Sequence, residues 1–231
     1  MLKKNIPNAI TCANLFSGCI GIVFAFKGDL QTAAYFVVFS GIFDFFDGMV
    51  ARLLNVKSAI GKDLDSLADM VSFGFLPGVV MFQLLKLSDY PSEYLPYLGF
   101  IITVFSALRL AKFNNDARQT EDFIGLNTPM NTLFICSLPY IAVDYPQVVY
   151  SSILLIAITA ITSLLLVSEI RIFSLKFSDL SWAKNKIKFI FLILSALLIA
   201  FLKFAAIPFV LVLYIALSLL YFKDKPMPEK N

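Results

Sequence analysis

The chain has 231 residues, of which 59% are hydrophobic, 15% aromatic and only 15% charged, and its mean hydropathy is +0.81. A soluble domain carries about 25% charged residues; a chain this apolar lacks the polar surface to stay dissolved and the charge to stay disordered. What remains is an integral membrane protein, read as a single domain over residues 1–231.

A spanning helix needs about 20 mostly apolar residues. Charge-free runs occur at 5–26, 70–85, 94–108, 123–143, 145–168, 189–202 and 204–222, and 30–54 is apolar but interrupted by Asp44, Asp47 and Arg52. Eight helices are therefore expected, with punctuation at Lys27-Gly28-Asp29, in the Pro91/Pro96 loop and at Asp144-Tyr145-Pro146. The basic segment 171–188, with Trp182 inside it, reads as a cytoplasmic loop or an interfacial helix.

Eight crossings from a cytoplasmic N-terminus place sixteen of the 19 Lys and Arg residues inside and leave only Lys27, Lys86 and Lys203 outside. That bias follows the positive-inside rule and puts both termini in the cytoplasm. The first apolar run continues as a full span without a small-residue cleavage site, so no cleavable signal peptide is expected.

The absence of His removes every mechanism that needs an imidazole base or a His ligand. Cys12, Cys19 and Cys136 form no metal-type spacing and read as packing residues. The chemistry must then rest on carboxylates. Asp44 and Asp47 interrupt an apolar helix, where each unpaired charge costs on the order of 3 kcal/mol. At i and i+3 they share one face; Asp65 and Asp69, at i and i+4, share a face of the next helix. A short loop can bring all four together, and they cannot all stay ionised without cations between them. An all-oxygen donor set suits a hard ion such as Mg²⁺, Mn²⁺ or Ca²⁺, and four carboxylates suffice for a two-metal site. Gly48 leaves room for a ligand, and Arg52 lies one turn further on the same face, where it can meet phosphate oxygens. The plainer alternative pairs these acids with Arg52, Lys57 and Lys62 at the membrane surface.

The arrangement D-x2-D-G-x2-A-R-x8-G-x3-D-x3-D, here Asp44, Asp47, Gly48, Ala51, Arg52, Gly61, Asp65 and Asp69, resembles the signature of the CDP-alcohol phosphatidyltransferases. The resemblance implies an all-α polytopic bundle with a six-helix core, usually a homodimer, the motifs lying within about 5–135 and two further helices lying within about 187–222. It implies transfer of a phosphatidyl-type group from a CDP-linked lipid to an alcohol, with release of CMP. Asp44, Asp47, Asp65 and Asp69 would hold two divalent ions, Mg²⁺ or Mn²⁺, and Asp69 would also be the general base. Gly48, Ala51, Arg52 and Ser58 would contact CDP-diacylglycerol.

Two further blocks are similar to the phosphatidylserine-forming branch of that family. Pro7-Asn8-Ala-Ile-Thr11-Cys-Ala-Asn14 matches its opening, and implies that Asn8 and Thr11 line the nucleotide pocket. Ala107-Leu-Arg109-Leu-Ala-Lys112-Phe113-Asn114 and Phe123-Ile-Gly125-Leu126-Asn127-Thr128-Pro129-Met130-Asn131 match a second pair of blocks, with Asn127 in place of the usual Pro and Asn131 in place of a small residue. L-serine is then the expected acceptor, its carboxylate clamped by Arg109 with Asn114 and Asn131 as neutral hydrogen-bonding groups. The expected partners are CDP-diacylglycerol, L-serine and membrane lipid, with no nucleic acid; the expected location is the cell membrane, with the site on its cytoplasmic side. The alternatives are a sibling enzyme using glycerol 3-phosphate or inositol phosphate, or a cation or proton transporter. A transporter commonly shows paired broken helices, whereas here the acidic motif occurs once.

Overall fold

Most of each of the eight apolar runs folds as helix, though 123–143 opens with a short strand and 145–168 is broken into two helices. The computed structural model describes residues 2–56, 59–90, 92–119, 122–175, 179, 181–225 and 227. Helices α1 (Leu2–Phe26) and α2 (Leu30–Leu53) form a hairpin closed at Lys27–Asp29. The Asp29 carboxylate caps α2 by accepting from the Thr32 amide at 3.0 Å, a bond that holds Asp29 below the usual carboxylate range.

The third rod reaches eleven residues further back than its charge-free run: α3 (Ala59–Asp69) continues through a π-turn (Met70–Phe75) into α4 (Leu76–Lys86). Asp65 and Asp69 therefore ride on the same rod as the apolar run. The π-turn has a local cause. Pro77 has no N–H to give Phe73, and the freed Phe73 carbonyl accepts from the Thr132 hydroxyl at 2.8 Å, while the Gly74 carbonyl accepts from Thr103 at 3.1 Å. All of Leu76–Met81 is buried, so α4 is the axis of the bundle.

A 3₁₀ turn (Leu95–Gly99) leads into α5 (Phe100–Asn115). Strand β1 (Phe123–Ile124), α6 (Thr128–Asp144), a short α7 (Pro146–Val149), α8 (Ser152–Val167) and strand β2 (Arg171–Ile172) follow. The two strands pair antiparallel, Phe123 with Ile172 and Ile124 with Arg171. Helix α9 (Trp182–Leu202) takes up the end of the basic segment 171–188, and a 3₁₀ turn at Lys203–Ala205 reverses the chain into α10 (Ala206–Phe222).

Cross-links between helices define two ends. At one end Gln83 Nε2 donates to Ala25 O at 3.0 Å, the Ser152 amide donates to Asp89 Oδ1 at 2.9 Å and Tyr140 Oη donates to Gln31 O at 3.0 Å. At the other end lie Thr11 with Asp47, Lys62 with Asn114, Lys112 with Glu169, and the strand pair. Among the described residues, five helical stretches are long and apolar enough to cross a bilayer: Asn5–Phe26, Leu30–Leu53, Ile60–Lys86, Leu95–Asn115 and Asn185–Phe222. The protein is an integral membrane protein of all-α architecture.

Candidate active site

The acidic residues converge at the second of these ends. Helix α2 carries Asp44 and Asp47 on one face, and α3, packed on α1, brings Asp65 and Asp69 to the same cavity. Asp44, Asp47 and Asp65 each bring a carboxylate oxygen within 4.8 Å of the others. Asp69 lies one turn further along the rod, and all four line one cavity of about 590 Å³. Among the described residues, neither Arg52 nor Lys62 forms the surface ion pair with Asp47, Asp65 or Asp69 that offered a plainer account. Arg52 turns back on its own helix, its Nε donating to Gly48 O at 3.0 Å, and Lys62 Nζ donates to Asn114 O at 3.2 Å. Lys57 lies outside the described residues. Among the described residues, Asp47, Asp65 and Asp69 have no Lys or Arg ion pair.

Helix α1 orients two of these acids. Thr11 Oγ1 donates to Asp47 Oδ2 at 2.6 Å, and Asn14 Nδ2 donates to Asp69 Oδ1 at 3.4 Å. Positions 11 and 14 share a helix face, so one face of α1 reaches one acid on α2 and one on α3. The Asn14 carbonyl also accepts from the Ser40 and Ser72 hydroxyls, at 3.2 and 3.1 Å, which ties the three helices at that level. Asn14 stands in the opening block but was not picked out from sequence as a site residue; its spacing of three from Thr11 is the signal that could have found it. Thr11, expected in the nucleotide pocket, is turned to Asp47 instead of lining the cavity.

The opposite wall comes from α5, β1 and the start of α6. It carries Arg109, Phe113, Asn114, Phe123, Asn127 and Thr128. Arg109 is 3% exposed. Its Nε donates to Leu126 O at 3.1 Å and its guanidinium lies 5.0 Å from the Phe113 ring centre. Asn114 Nδ2 donates to Ser66 Oγ at 2.7 Å, bridging the two walls. Ser66, Phe45, Leu110, Phe113 and Phe123 are wall residues that sequence did not pick out; being mostly apolar, they carry no signal that separates them from packing residues.

Gly48 and Arg52 line the cavity, and a Cβ added at Gly48 would meet nothing within 4 Å. Ala51 is half-buried on α2 and Asn8 half-buried on α1, neither in the cavity wall. Ser58 lies outside the described residues. Asn131 is fully buried one turn into α6, behind the wall, and neither its Oδ1 nor its Nδ2 has a hydrogen-bond partner among the described residues.

The profile of the CDP-alcohol phosphatidyltransferase family matches residues 4–164. The chain belongs to that family. It is 33% identical over 171 residues to a Bacillus subtilis protein named CDP-diacylglycerol–serine O-phosphatidyltransferase, covering 72% of this chain and 88% of that one. Proteins of the same name are 31% identical in Mycobacterium bovis, over 71% of this chain and 59% of theirs, and 32% identical in Saccharomyces cerevisiae, over 61% and 55%. The chain thus spans less than two thirds of the mycobacterial and yeast relatives.

The cluster of this CDP-alcohol phosphatidyltransferase fits a metal. Its donors are carboxylate oxygens alone, the choice of a hard cation. Three carboxylates within 4.8 Å repel one another unless a cation lies among them. The open space over Gly48 gives a bulky anionic group a way to the cluster.

Proposed function

We propose that this phosphatidyltransferase is a phosphatidylserine synthase, transferring the phosphatidyl group of CDP-diacylglycerol to the hydroxyl of L-serine and releasing CMP. The observation that carries this is the facing of two walls across one cavity: four Asp residues from α2 and α3 on one side, and on the other a buried Arg109 that has no ion pair among the described residues. The first wall suits a diphosphate held through cations; the second suits a small acceptor with a carboxylate.

Asp44, Asp47, Asp65 and Asp69 would hold two divalent ions, Mg²⁺ or Mn²⁺, whose chemistry is to neutralise charge on the diphosphate and on departing CMP. Gly48 admits the diphosphate, and Arg52, on the cavity rim, has guanidinium N–H groups for its oxygens. Asn8, Ala51 and Ser58 belong to the CDP-diacylglycerol side of this reading. Arg109 clamps the serine carboxylate, with Asn114 beside it; the unpartnered amide of Asn131 supplies polar atoms behind the wall. Asp69 takes the proton of the serine hydroxyl. A bond forms from that oxygen to the lipid-bearing phosphorus, the bond from phosphorus to the CMP oxygen breaks, and CMP leaves. A carboxylate is a weak base for an alcohol, so positioning carries much of the rate.

The reading includes eight crossings of the cell membrane, cytoplasmic termini and a cytoplasmic site. What supports it is that Arg52, Lys62, Lys112 and Arg118 all lie at the cavity end and belong to the sixteen basic residues of one side. A homodimer is included on family grounds.

The test is CMP release by purified protein in detergent, with CDP-diacylglycerol, Mn²⁺ or Mg²⁺, and serine, glycerol 3-phosphate or inositol phosphate in turn. CMP with serine alone, dependent on metal and lost in Asp69→Asn while CDP-diacylglycerol still binds, is the expected result. CMP with another alcohol overturns the acceptor assignment, and none with any alcohol overturns the enzyme reading.

A further inference from the structure

The family profile ends at residue 164, yet residues beyond it hold one wall of the cavity in place. The wall segment 123–128 has little structure of its own, since two strands of two residues are not stable alone. Its backbone is held by the chain that leaves α8. The Gly125 amide donates to Ile170 O at 2.8 Å and the Leu126 amide to Leu165 O at 2.9 Å. Gly125 permits this approach: its φ is +80°, and a Cβ there would lie 2.6 Å from Leu166 O. Asp122 Oδ2 accepts from Arg171 Nη2 at 3.0 Å, and Asp122 Oδ1 from the Ser174 amide at 3.3 Å.

That second segment is in turn held by α10. Tyr214 Oη donates to Phe173 O at 2.6 Å, and the Phe173 amide donates to Ser218 Oγ at 3.4 Å. The Phe173 and Tyr214 rings meet edge to face at 5.0 Å, both fully buried. The Arg171 guanidinium lies 4.1 Å from the Phe222 ring centre. The Asn127 side chain, itself in the cavity wall, faces the Tyr214 hydroxyl. The path ends at Leu126, whose carbonyl receives Arg109 Nε. Helix α10 packs on α6, α9 and β2, away from the acid-bearing α2 and α3.

We propose that α10 is a brace for the acceptor wall, and that Tyr214 and Phe173 are positioning residues that set Arg109 and Asn127 for serine without touching it. This rests on the assignment of that wall to serine. Arg109 and Asn127 lie on the wall formed by α5 and the start of α6, apart from the acids on α2 and α3, so a loosened brace weakens the fit of one substrate and spares the other. The C-terminal hairpin thereby becomes part of acceptor recognition.

The test uses the full chain in detergent and two variants, Tyr214→Phe, which keeps the ring and removes the bond to Phe173, and Asp122→Asn, which weakens the same brace from the strand side. Both should raise the serine KM at least threefold and leave the CDP-diacylglycerol KM and the turnover at saturating serine within twofold. A merely structural role would lower the active fraction and leave the serine KM unchanged. Amide hydrogen exchange at Gly125 and Leu126 is read in parallel and should be at least fivefold faster in both variants. Unchanged exchange in both overturns the brace, whatever the activity. Faster exchange with an unchanged serine KM overturns its role in acceptor recognition. A wild-type protein that turns over with a different alcohol, or not at all, overturns the serine assignment, while the exchange result still decides the brace.

Discussion

Thr11 Oγ1 lies 2.6 Å from Asp47 Oδ2, a hydroxyl from α1 donating to a 6%-exposed carboxylate on α2. One turn along α1, Asn14 makes the corresponding contact to Asp69 on α3. Groups that orient metal-binding carboxylates commonly matter about 10- to 100-fold in metal affinity or activity. Thr11→Val and Asn14→Ala should therefore each raise the Mn²⁺ concentration for half-maximal CMP release about tenfold or more. Electron paramagnetic resonance of bound Mn²⁺ should give the same ratio without any turnover. Unchanged Mn²⁺ binding in both would mean that these contacts serve helix packing alone.

Arg109 offers a planar, fixed guanidinium anchored by one nitrogen to Leu126 O. Lysine keeps the charge but loses the fork and that anchor. Arg109→Lys should raise the serine KM by about tenfold, the weight of roughly 1.4 kcal/mol, while CDP-diacylglycerol binding is retained. Equal losses for both substrates would argue against a serine-specific role.

The two glycines at the cavity respond to different constraints. A side chain at Gly48 enters open space, whereas one at Gly125 meets Leu166 O at 2.6 Å on a backbone with φ +80°. Gly48→Val should melt within a few degrees of wild type yet bind CDP-diacylglycerol at least tenfold more weakly. Gly125→Ala should lower stability by about 1–2 kcal/mol from the left-handed conformation alone. Thermal unfolding followed by circular dichroism, with a CDP-diacylglycerol binding isotherm, separates the two.

Much of this was legible in sequence because hydropathy and spacing are local. Most of each apolar run became helix, and the spacings 44/47 and 65/69 brought the two pairs of acids to one cavity. The start of α3 at Ala59 was harder to read, since the helix is polar where Asp65, Ser66 and Asp69 meet the cavity. Strands β1 and β2 have two residues each, too short to show a period of two, and they pair across about fifty positions of sequence. The roles of Tyr214 and Phe173 were hidden for a related reason: in an apolar helix a buried tyrosine looks like its neighbours until its partner is known. Asn131, read as an acceptor residue from its place in the Phe123–Asn131 block, is behind the wall because α6 turns that face into the bundle.

The cavity end also carries a charge network with a definite pH response. Lys112 Nζ donates to Glu169 Oε1 at 2.5 Å, and Arg118 Nη2 donates to Asp116 Oδ2 at 2.7 Å and to Glu169 Oε2 at 3.3 Å. The hydrogen bond from Lys112 holds Glu169 below its ordinary value of 4.5, and the bonds from Arg118 hold Asp116 below its ordinary 3.8. With both depressed, the unfolded chain binds protons before the folded one does. The stabilisation is complete above about pH 4.5 and is lost as pH falls through the lower folded values. Glu169 lies in the link from α8 to β2, so amide protection at Gly125 and Leu126 should be flat from neutral pH to about 5 and fall below about 4.5. In Glu169→Gln, protection at neutral pH should already be reduced and its acid limb flattened. An acid limb identical to wild type would assign the fall to groups elsewhere in the bundle.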